Sequence, residues 1–369
     1  MILLRGAYRL FFPAAGLMAA LAVPFWLLLY AGADIPGPGE AQLWHMHEML
    51  FGYLGAALAG FLLTALPNWT GRRAISGLPL LGLFGLWLLG RVVMLLWPAG
   101  ALLALLFTVV LAAITTVEIV AGGNKRNLPM AGMVWLIVAA QAVVLTGDIF
   151  LGMRMGFAIA LMMITLVGGR VTPTFSRNWL IAQGRKDVVA GFGMIDKAAL
   201  LCVALALLGW VIFDAGAATG ALALLASVIL SLRLIRWNAR AVSAEPLLLA
   251  LHAGYAWVVV SLLLLGLQGL TGLITQAQVF HAMGAGAVGT MTLIVMIRAL
   301  LGHSGQAIAA GKSDVVILLM VHAAALIRVI AGGMDTTWLL HLSGTLWSLG
   351  FGLFVLRYLR VALTPKLES

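Results

Sequence analysis

Residues 100–121 read GALLALLFTVVLAAITTVEIVA and contain a single charged side chain, Glu118. At about 1.5 Å per residue, a helix of about 20 apolar residues crosses the hydrocarbon core of a bilayer. The run is too long and too uniformly apolar for a strand of a membrane barrel. It therefore predicts a transmembrane helix, because a segment that crosses lipid must satisfy its own backbone hydrogen bonds.

The same pattern recurs along the whole chain of 369 residues. Twelve ranges qualify as spans: 8–31, 44–67, 78–97, 100–121, 128–150, 153–173, 191–213, 216–237, 245–268, 277–300, 313–332 and 336–361. Hydrophobic residues make up 63% of the sequence and charged residues 9%, whereas a soluble protein carries about 25% charged residues. A soluble, disordered or fibrous protein is thereby excluded. The sequence predicts one all-α, polytopic integral-membrane domain over residues 1–369, with about 12 transmembrane helices.

The scarce charges are distributed unevenly, with 22 Lys and Arg against 12 Asp and Glu, a net charge of +10. If the chain crosses the membrane at each predicted span, all the basic residues except Arg91, Arg154 and Arg328 fall on the side of the two termini. Because Lys and Arg accumulate on the cytoplasmic side, we expect both termini in the cytoplasm. The positive charge then reports orientation in a lipid bilayer, and no nucleic acid is expected as a partner.

Ionisable residues inside spans are costly and usually functional, and the sharpest group is Trp44-His45-Met46-His47-Glu48-Met49. His45 and His47 point about 200° apart on a helix. They could serve two neighbouring cofactors, or one could bind a metal while the other holds a supporting partner. Glu48 shares the face of His45 and could accept the imidazole N–H that a metal-bound histidine usually donates. The alternative is a polar cap at the start of a helix, where Glu is favoured by the helix dipole.

A second set of candidates lies at the same predicted level, near the outer face. His281, close to the start of span ten, matches the depth of His47, as haem ligation by two histidines on facing helices would require. Arg91 and Arg328 are candidates for pairing with haem propionates; alternatively, they snorkel to the interface. Small residues would leave room for haem, or would only allow helices to pack closely: Gly52, Gly55, Gly284, Gly286 and Gly289.

The remaining histidine candidates are weaker. His252 lies about 10 Å from the inner end of its span; it could bind haem or a second metal, relay protons, or make an ordinary interhelical hydrogen bond. His303 is predicted in the cytoplasmic loop that follows span ten, as a further metal candidate. His322 and His341 are the least favoured positions. No residue is assigned a catalytic role.

A faint internal repeat is also present. Span two ends in Thr64-Ala65-Leu66-Pro67-Asn68-Trp69, and span six ends in Thr172-Pro173-Thr174-Phe175-Ser176-Arg177-Asn178-Trp179. Both segments place Thr, Pro and Asn-Trp in the same order, four helices apart. Three sets of four helices would explain the match, as would chance.

Several long motifs resemble those of the NnrS family. They are residues 45–52 (HMHEMLFG), 61–72 (FLLTALPNWTGR), 252–257 (HAGYAW), His281-Ala282, 289–292 (GTMT), Met296 and 301–305 (LGHSG). The resemblance covers essentially the whole chain. It implies a bacterial inner-membrane protein of about twelve helices that contains haem and copper and is linked to denitrification and relief of nitric oxide stress. The motif positions that it carries over are His45, His47, His252, His281 and His303.

The resemblance implies haem b, in one or two copies, with copper as a further candidate. The haem would bind nitric oxide or convert it by redox chemistry near the periplasmic side, which would make the protein a haem- and copper-dependent oxidoreductase if turnover occurs. Two alternatives stay open. One is a quinol-linked, cytochrome b-type electron-transfer protein, with a quinol or an electron-donor protein as partner. The other is a metal or anion transporter, or a sensor, without catalytic turnover.

Overall fold

The computed structural model describes residues 2–35, 40–186, 189–334 and 336–366, and within them the protein is helical, without strands. Twelve helices in this part of the chain are long and apolar enough to cross a membrane, which confirms the predicted fold class. They are α1 Ala7–Tyr30, α2 Ala41–Thr70, α3 Gly77–Leu96, α4 Ala99–Ala121, α5 Lys125–Thr146, α6 Ile149–Ala182, α7 Met194–Phe213, α8 Ala217–Ile235, α9 Pro246–Thr271, α10 Gln276–His303, α11 Lys312–Ala331 and α12 Thr337–Leu363.

Among the helices that extend beyond their predicted bounds, α2, α6 and α10 do so for identifiable reasons. Pro67 and Pro173 lie inside α2 and α6 rather than ending them. His303, predicted in a loop, is the last residue of α10. That helix continues because Leu300 and Leu301 are buried, and it ends just before Gly305, whose φ of 78° is left-handed.

Helices α2, α6 and α10 each contain a π-helical segment. The segments are Glu48–Tyr53, Ile164–Gly168 and Ala282–Gly289. A π-helical turn widens the helix and interrupts the regular pattern of backbone hydrogen bonds, and such turns are frequent at functional sites. Because the three helices are four apart in chain order, the segments match the suspected threefold division of the sequence.

Helix ends in the structure use ordinary capping chemistry. Gly71 and Gly272 follow α2 and α9 with φ of 69° and 68°, the left-handed conformation that glycine adopts without steric cost. At the start of α10, Thr275 and Gln278 form reciprocal side-chain to backbone hydrogen bonds of 3.2 and 3.0 Å. These ends set where each helix begins and stops, and therefore at which level its polar residues lie.

The helices divide into two compact units. Unit 1 comprises Met1–Ile159, Val295–Ile308 and Trp347–Ser369, and unit 2 comprises Ala160–Ile294 and Ala309–Leu346. The division falls within α6, α10 and α12, so each of these helices contributes to both units.

Aromatic side chains packed against small residues form the core of unit 1. Phe12 lies against Gly60, and Phe354 lies against Gly16. Trp347 donates a hydrogen bond of 3.0 Å to the carbonyl of Ala19. The glycines let α1 approach α2 and α12 closely enough for these rings to be buried.

In unit 2, α8 and α9 are in backbone contact. A Cβ at Gly220 would lie 2.9 Å from the carbonyl oxygen of Gly266, and one at Gly269 would lie 2.6 Å from that of Gly216. Gly216 and Gly220 have the four-residue spacing that allows membrane helices to approach closely. Packing of this kind stabilises helices that have no hydrophobic driving force between them in lipid.

Candidate functional site

The polar group that we call the His47 cluster lies in the interior of unit 1 and consists of His47, Glu48, Arg91, Thr108 and Gln141. His47 and Glu48 are wholly buried. His47 Nδ1 lies 2.9 Å from Glu48 Oε1, and Glu48 Oε2 lies 2.7 Å from Arg91 Nε. The carboxylate thus bridges an imidazole and a guanidinium.

On its other side, the imidazole contacts α5 directly and is linked through it to α4, and the sequence connected neither helix with His47. His47 Nε2 lies 3.1 Å from the amide nitrogen of Gln141, on α5. The Gln141 amide oxygen accepts a hydrogen bond of 2.7 Å from the hydroxyl of Thr108, on α4. The cluster therefore runs without a break from Arg91 on α3, through α2, to α4 and α5.

These contacts determine which nitrogen of His47 carries the proton. An ionised carboxylate only accepts hydrogen bonds, whereas the nitrogen of an amide only donates. His47 therefore donates from Nδ1 to Glu48 and accepts at Nε2 from Gln141. Donation from one ring nitrogen to a carboxylate is also how a metal-bound histidine is usually held, with its other nitrogen as the ligand.

Gly52, in the π-helical segment of α2, leaves room for this arrangement. A Cβ at Gly52 would lie 2.9 Å from Arg91 Nη1 and 3.0 Å from Glu48 Oε2. The carbonyl of Gly52 accepts a hydrogen bond of 2.9 Å from Trp87 Nε1, and the guanidinium of Arg91 lies 5.8 Å from the centre of the Trp87 ring. The space at Gly52, expected to serve haem or helix packing, is filled by Arg91.

His45 is directed elsewhere. Its ring stacks on Trp26 of α1 with 4.5 Å between ring centres, while His47 faces α5. The two side chains thus diverge, in line with their spacing of two residues. Glu48, which was expected to support His45, lies 2.9 Å from His47 Nδ1 through Oε1 and 2.7 Å from Arg91 Nε through Oε2. Its support of His45 stays a prediction.

The other predicted positions are distributed over both units. In unit 2, His252 is buried and its Nε2 lies 3.0 Å from the hydroxyl of Ser176, while His281 Nδ1 donates to the carbonyl of Ala277 at 2.7 Å. Arg328 lies in the last turn of α11 in the same unit. His303 lies in unit 1, with its ring 5.2 Å from that of Tyr8. The pairing of His47 with His281 stays a prediction.

No group of three or more His, Cys, Asp or Glu side chains is placed to hold a metal ion within the described ranges. A copper centre built from several such ligands is therefore not preformed in that part of the chain, and the predicted copper stays a prediction. A haem iron, by contrast, needs only one or two protein ligands, and the donor chemistry of His47 suits one of them.

Two polar groups were missed from the sequence. Within its own span, Gln141 is the one amide or hydroxyl side chain in residues 131–145, AGMVWLIVAAQAVVL, and such a residue in an apolar run is a recognisable indication of a polar contact. Arg233 was assigned to membrane orientation, but it is buried in unit 2. It forms a network with Asp196 and Tyr255, at 2.8 Å each, and with the carbonyls of Thr165 and Gly169, at 3.2 and 3.3 Å.

The comparisons with known proteins agree with the motifs in the sequence. The family model described as NnrS protein matches residues 2–366, nearly the whole chain. No curated protein matches the chain. The protein is therefore a member of the NnrS family, and as such a membrane protein related to the nitric oxide response.

Proposed function

We propose that this protein is a haem protein of the bacterial inner membrane that binds nitric oxide or converts it by redox chemistry, with His47 as a ligand of the haem iron. The observation that supports this most directly is the wholly buried imidazole of His47, whose Nδ1 proton is held by Glu48 while the lone pair of Nε2 points to an exchangeable partner. Haem b, in one or two copies, is the proposed cofactor.

The residues around His47 fit a haem in two respects. Glu48 makes the imidazole a stronger donor to a metal, as a carboxylate does for metal-bound histidines generally. Arg91 Nη1 is buried and makes no hydrogen bond within the described residues. It therefore has a donor to offer to an anionic group such as a propionate, which would be strongly favoured where water is excluded.

A bound haem would supply an iron that can bind nitric oxide and exchange electrons. The chain supplies the ligand, its orientation and a dry interior. Nitric oxide is uncharged and partitions into lipid, so it can reach a buried site without a polar channel. We propose the periplasmic side for this site, with both termini in the cytoplasm, because the basic residues concentrate on the side of the termini.

An optical spectrum of the detergent-purified protein tests this proposal. We expect a Soret band in protein made with an adequate haem supply, and a shift of that band when nitric oxide is added to the reduced form. A band that does not respond would favour the alternative of quinol-linked electron transfer. The absence of a band would favour a transporter or sensor and would contradict the haem proposal.

Substitution identifies the ligand. His47→Ala should abolish or strongly reduce the haem content per protein, whereas His341→Ala, at an exposed position on α12, should leave it unchanged. His45→Ala, His252→Ala and His281→Ala complete the series, because each residue is a candidate second ligand. Full haem retention in all four variants of the candidate positions would refute the ligand assignment.

A further inference from the structure

The nitrogen of His47 that would bind iron is already occupied by Gln141. Gln141 is 1% exposed, and its amide nitrogen also faces the carbonyl of Ala104, at 3.4 Å. With the amide oxygen bound to Thr108, both ends of the amide have partners, which defines its orientation. Its N–H therefore points at the Nε2 lone pair.

We propose that Gln141 guards the metal-binding nitrogen of His47, so that the cofactor binds only when the hydrogen bond between the two residues breaks. This inference rests on the proposed function for its ligand and on the described contacts for its geometry. Nε2 has one lone pair in the neutral imidazole. An amide N–H and a metal cannot use it at the same time, so the two compete directly.

Gln141 has a second effect, on the tautomer. By donating to Nε2, it favours the form of His47 that is protonated on Nδ1, and Glu48 favours the same form from the other side. Without a metal, Gln141 thus keeps the lone pair on the correct nitrogen while blocking it. The cluster is thereby preorganised for a metal, and both nitrogens of the imidazole have hydrogen-bond partners.

The free-energy cost of displacing Gln141 from His47 Nε2 is large because the amide is buried. When a metal displaces Gln141, an amide donor that is buried in the interior loses its principal partner, which is costly in a site without water. Replacing Gln141 with an apolar side chain removes that cost. Thr108 has an alternative acceptor in the carbonyl of Leu105, at 3.1 Å, so the replacement leaves no new unsatisfied hydroxyl.

The first test uses protein prepared without haem and labelled with ¹⁵N in the histidine rings. We expect the ¹⁵N NMR spectrum to show His47 protonated at Nδ1 and unprotonated at Nε2, assigned by its loss in His47→Ala. In Gln141→Leu, the Nε2 resonance should move to the position of a nitrogen that accepts no hydrogen bond. A protonated Nε2 in the wild type, or an unchanged resonance in Gln141→Leu, would overturn the proposal.

The second test is a haem titration followed by absorbance. Gln141→Leu should bind haem on the order of tenfold more tightly than the wild type. Thr108→Val, which removes the hydroxyl that orients the amide, should act in the same direction but more weakly, and it serves if Gln141→Leu does not fold. Gln268→Leu, at a half-buried position on α9, is the matched control and should leave the affinity unchanged.

The outcomes separate this inference from the proposed function. If His47→Ala abolishes haem binding while Gln141→Leu binds as the wild type does or more weakly, the guard is refuted and the ligand assignment stands. If the wild type binds no haem, the proposed function fails. The nitrogen spectrum then decides by itself whether Gln141 holds the lone pair of His47.

Discussion

The His47 cluster in unit 1 and the Arg233 network in unit 2 are both buried, charged and built against a π-helical segment, but they use it in different ways. Arg233 donates to the carbonyls of Thr165 and Gly169, at the segment of α6 and immediately after it. Its remaining described bonds are to Asp196 and Tyr255. Four hydrogen bonds thus fix one guanidinium, two of them to backbone atoms.

In the His47 cluster, the π-helical segment instead begins at Glu48 itself, and the imidazole is held entirely by side chains. Side chains can rotate away, whereas backbone carbonyls within a helix cannot. The two networks are both buried, and they differ in whether the hydrogen-bond partners of the central group can be replaced by a ligand. The Arg233 network is suited to stabilising the helix, and the His47 cluster is suited to accepting a ligand.

The largest effect is expected from Arg233→Met. This substitution removes the buried ion-pair partner of Asp196 and the guanidinium donors to the carbonyls of Thr165 and Gly169. Breaking a buried ion pair by removing one partner costs about 3–5 kcal/mol. We expect a large drop in the midpoint of thermal unfolding in detergent, measured by intrinsic fluorescence.

Arg236→Met is the matched control, because Arg236 contacts the same carboxylate at 3.0 Å but its side chain is 30% exposed. It should cost well under about 1 kcal/mol, since water replaces most of what is lost. Equal destabilisation by the two substitutions would show that Arg233 does not support the π-helical segment.

An intermediate effect is expected from Gly52→Ala. The added methyl group would meet Arg91 Nη1 and Glu48 Oε2, and overpacking of a buried site costs about 1–3 kcal/mol. Because the clash falls on the His47 cluster, haem content should decrease together with stability. Gly132→Ala on α5, where nothing lies within 4 Å of the new Cβ, should be neutral or slightly stabilising. If Gly52→Ala keeps its stability and haem content as Gly132→Ala does, the described close contact of Arg91 with Gly52 of α2 is contradicted.

The smallest effect is expected at the ion pair of Arg72, which follows the end of α2, with Glu118 in the last turn of α4. The two groups are 2.6 Å apart, but the Arg72 side chain is 44% exposed. Glu118 raises the pKa of Arg72, through a hydrogen bond and charge attraction. A basic group whose pKa is raised on folding stabilises the folded state fully at any pH below its pKa in the unfolded state. For arginine that pKa is far above neutrality, so its contribution to stability is constant across the neutral pH range. Arg72→Ala should leave the midpoint of thermal unfolding unchanged from pH 6 to pH 8. A marked loss of stability would show that this exposed ion pair stabilises the protein as much as the buried networks do.

The pattern of π-helical segments gives the faint sequence repeat a physical counterpart. The sequence matched spans two and six through Thr, Pro and Asn-Trp, which was too little to distinguish a repeat from chance. The structure adds that α2, α6 and α10 each contain a π-helical segment. The three helices also have the greatest lengths among the described spans, at 30, 34 and 28 residues.

Part of the candidate site was predictable, and part was not. His47 and Glu48 stood out because ionisable residues are rare in apolar runs, and Arg91 stood out as a basic residue on the wrong side of the charge distribution. Gln141 could have been noted as a polar residue in a span, but not as the partner of His47, which lies 94 residues away in sequence. The burial of Arg233 could not be predicted, because a basic residue near a helix end looks the same in the sequence whether it faces water or carbonyl groups.

The sequence by itself determined the helical membrane architecture and the membership in the NnrS family, because the bilayer imposes a length and an apolar composition that any spanning helix must show. The tertiary structure decided which side chains meet. The spans are apolar on nearly every face, so their periodicity does not indicate which face packs against which neighbour. Only the packed arrangement brings Gln141 and Glu48 to opposite sides of one imidazole, and thereby sets its tautomer and what it can bind.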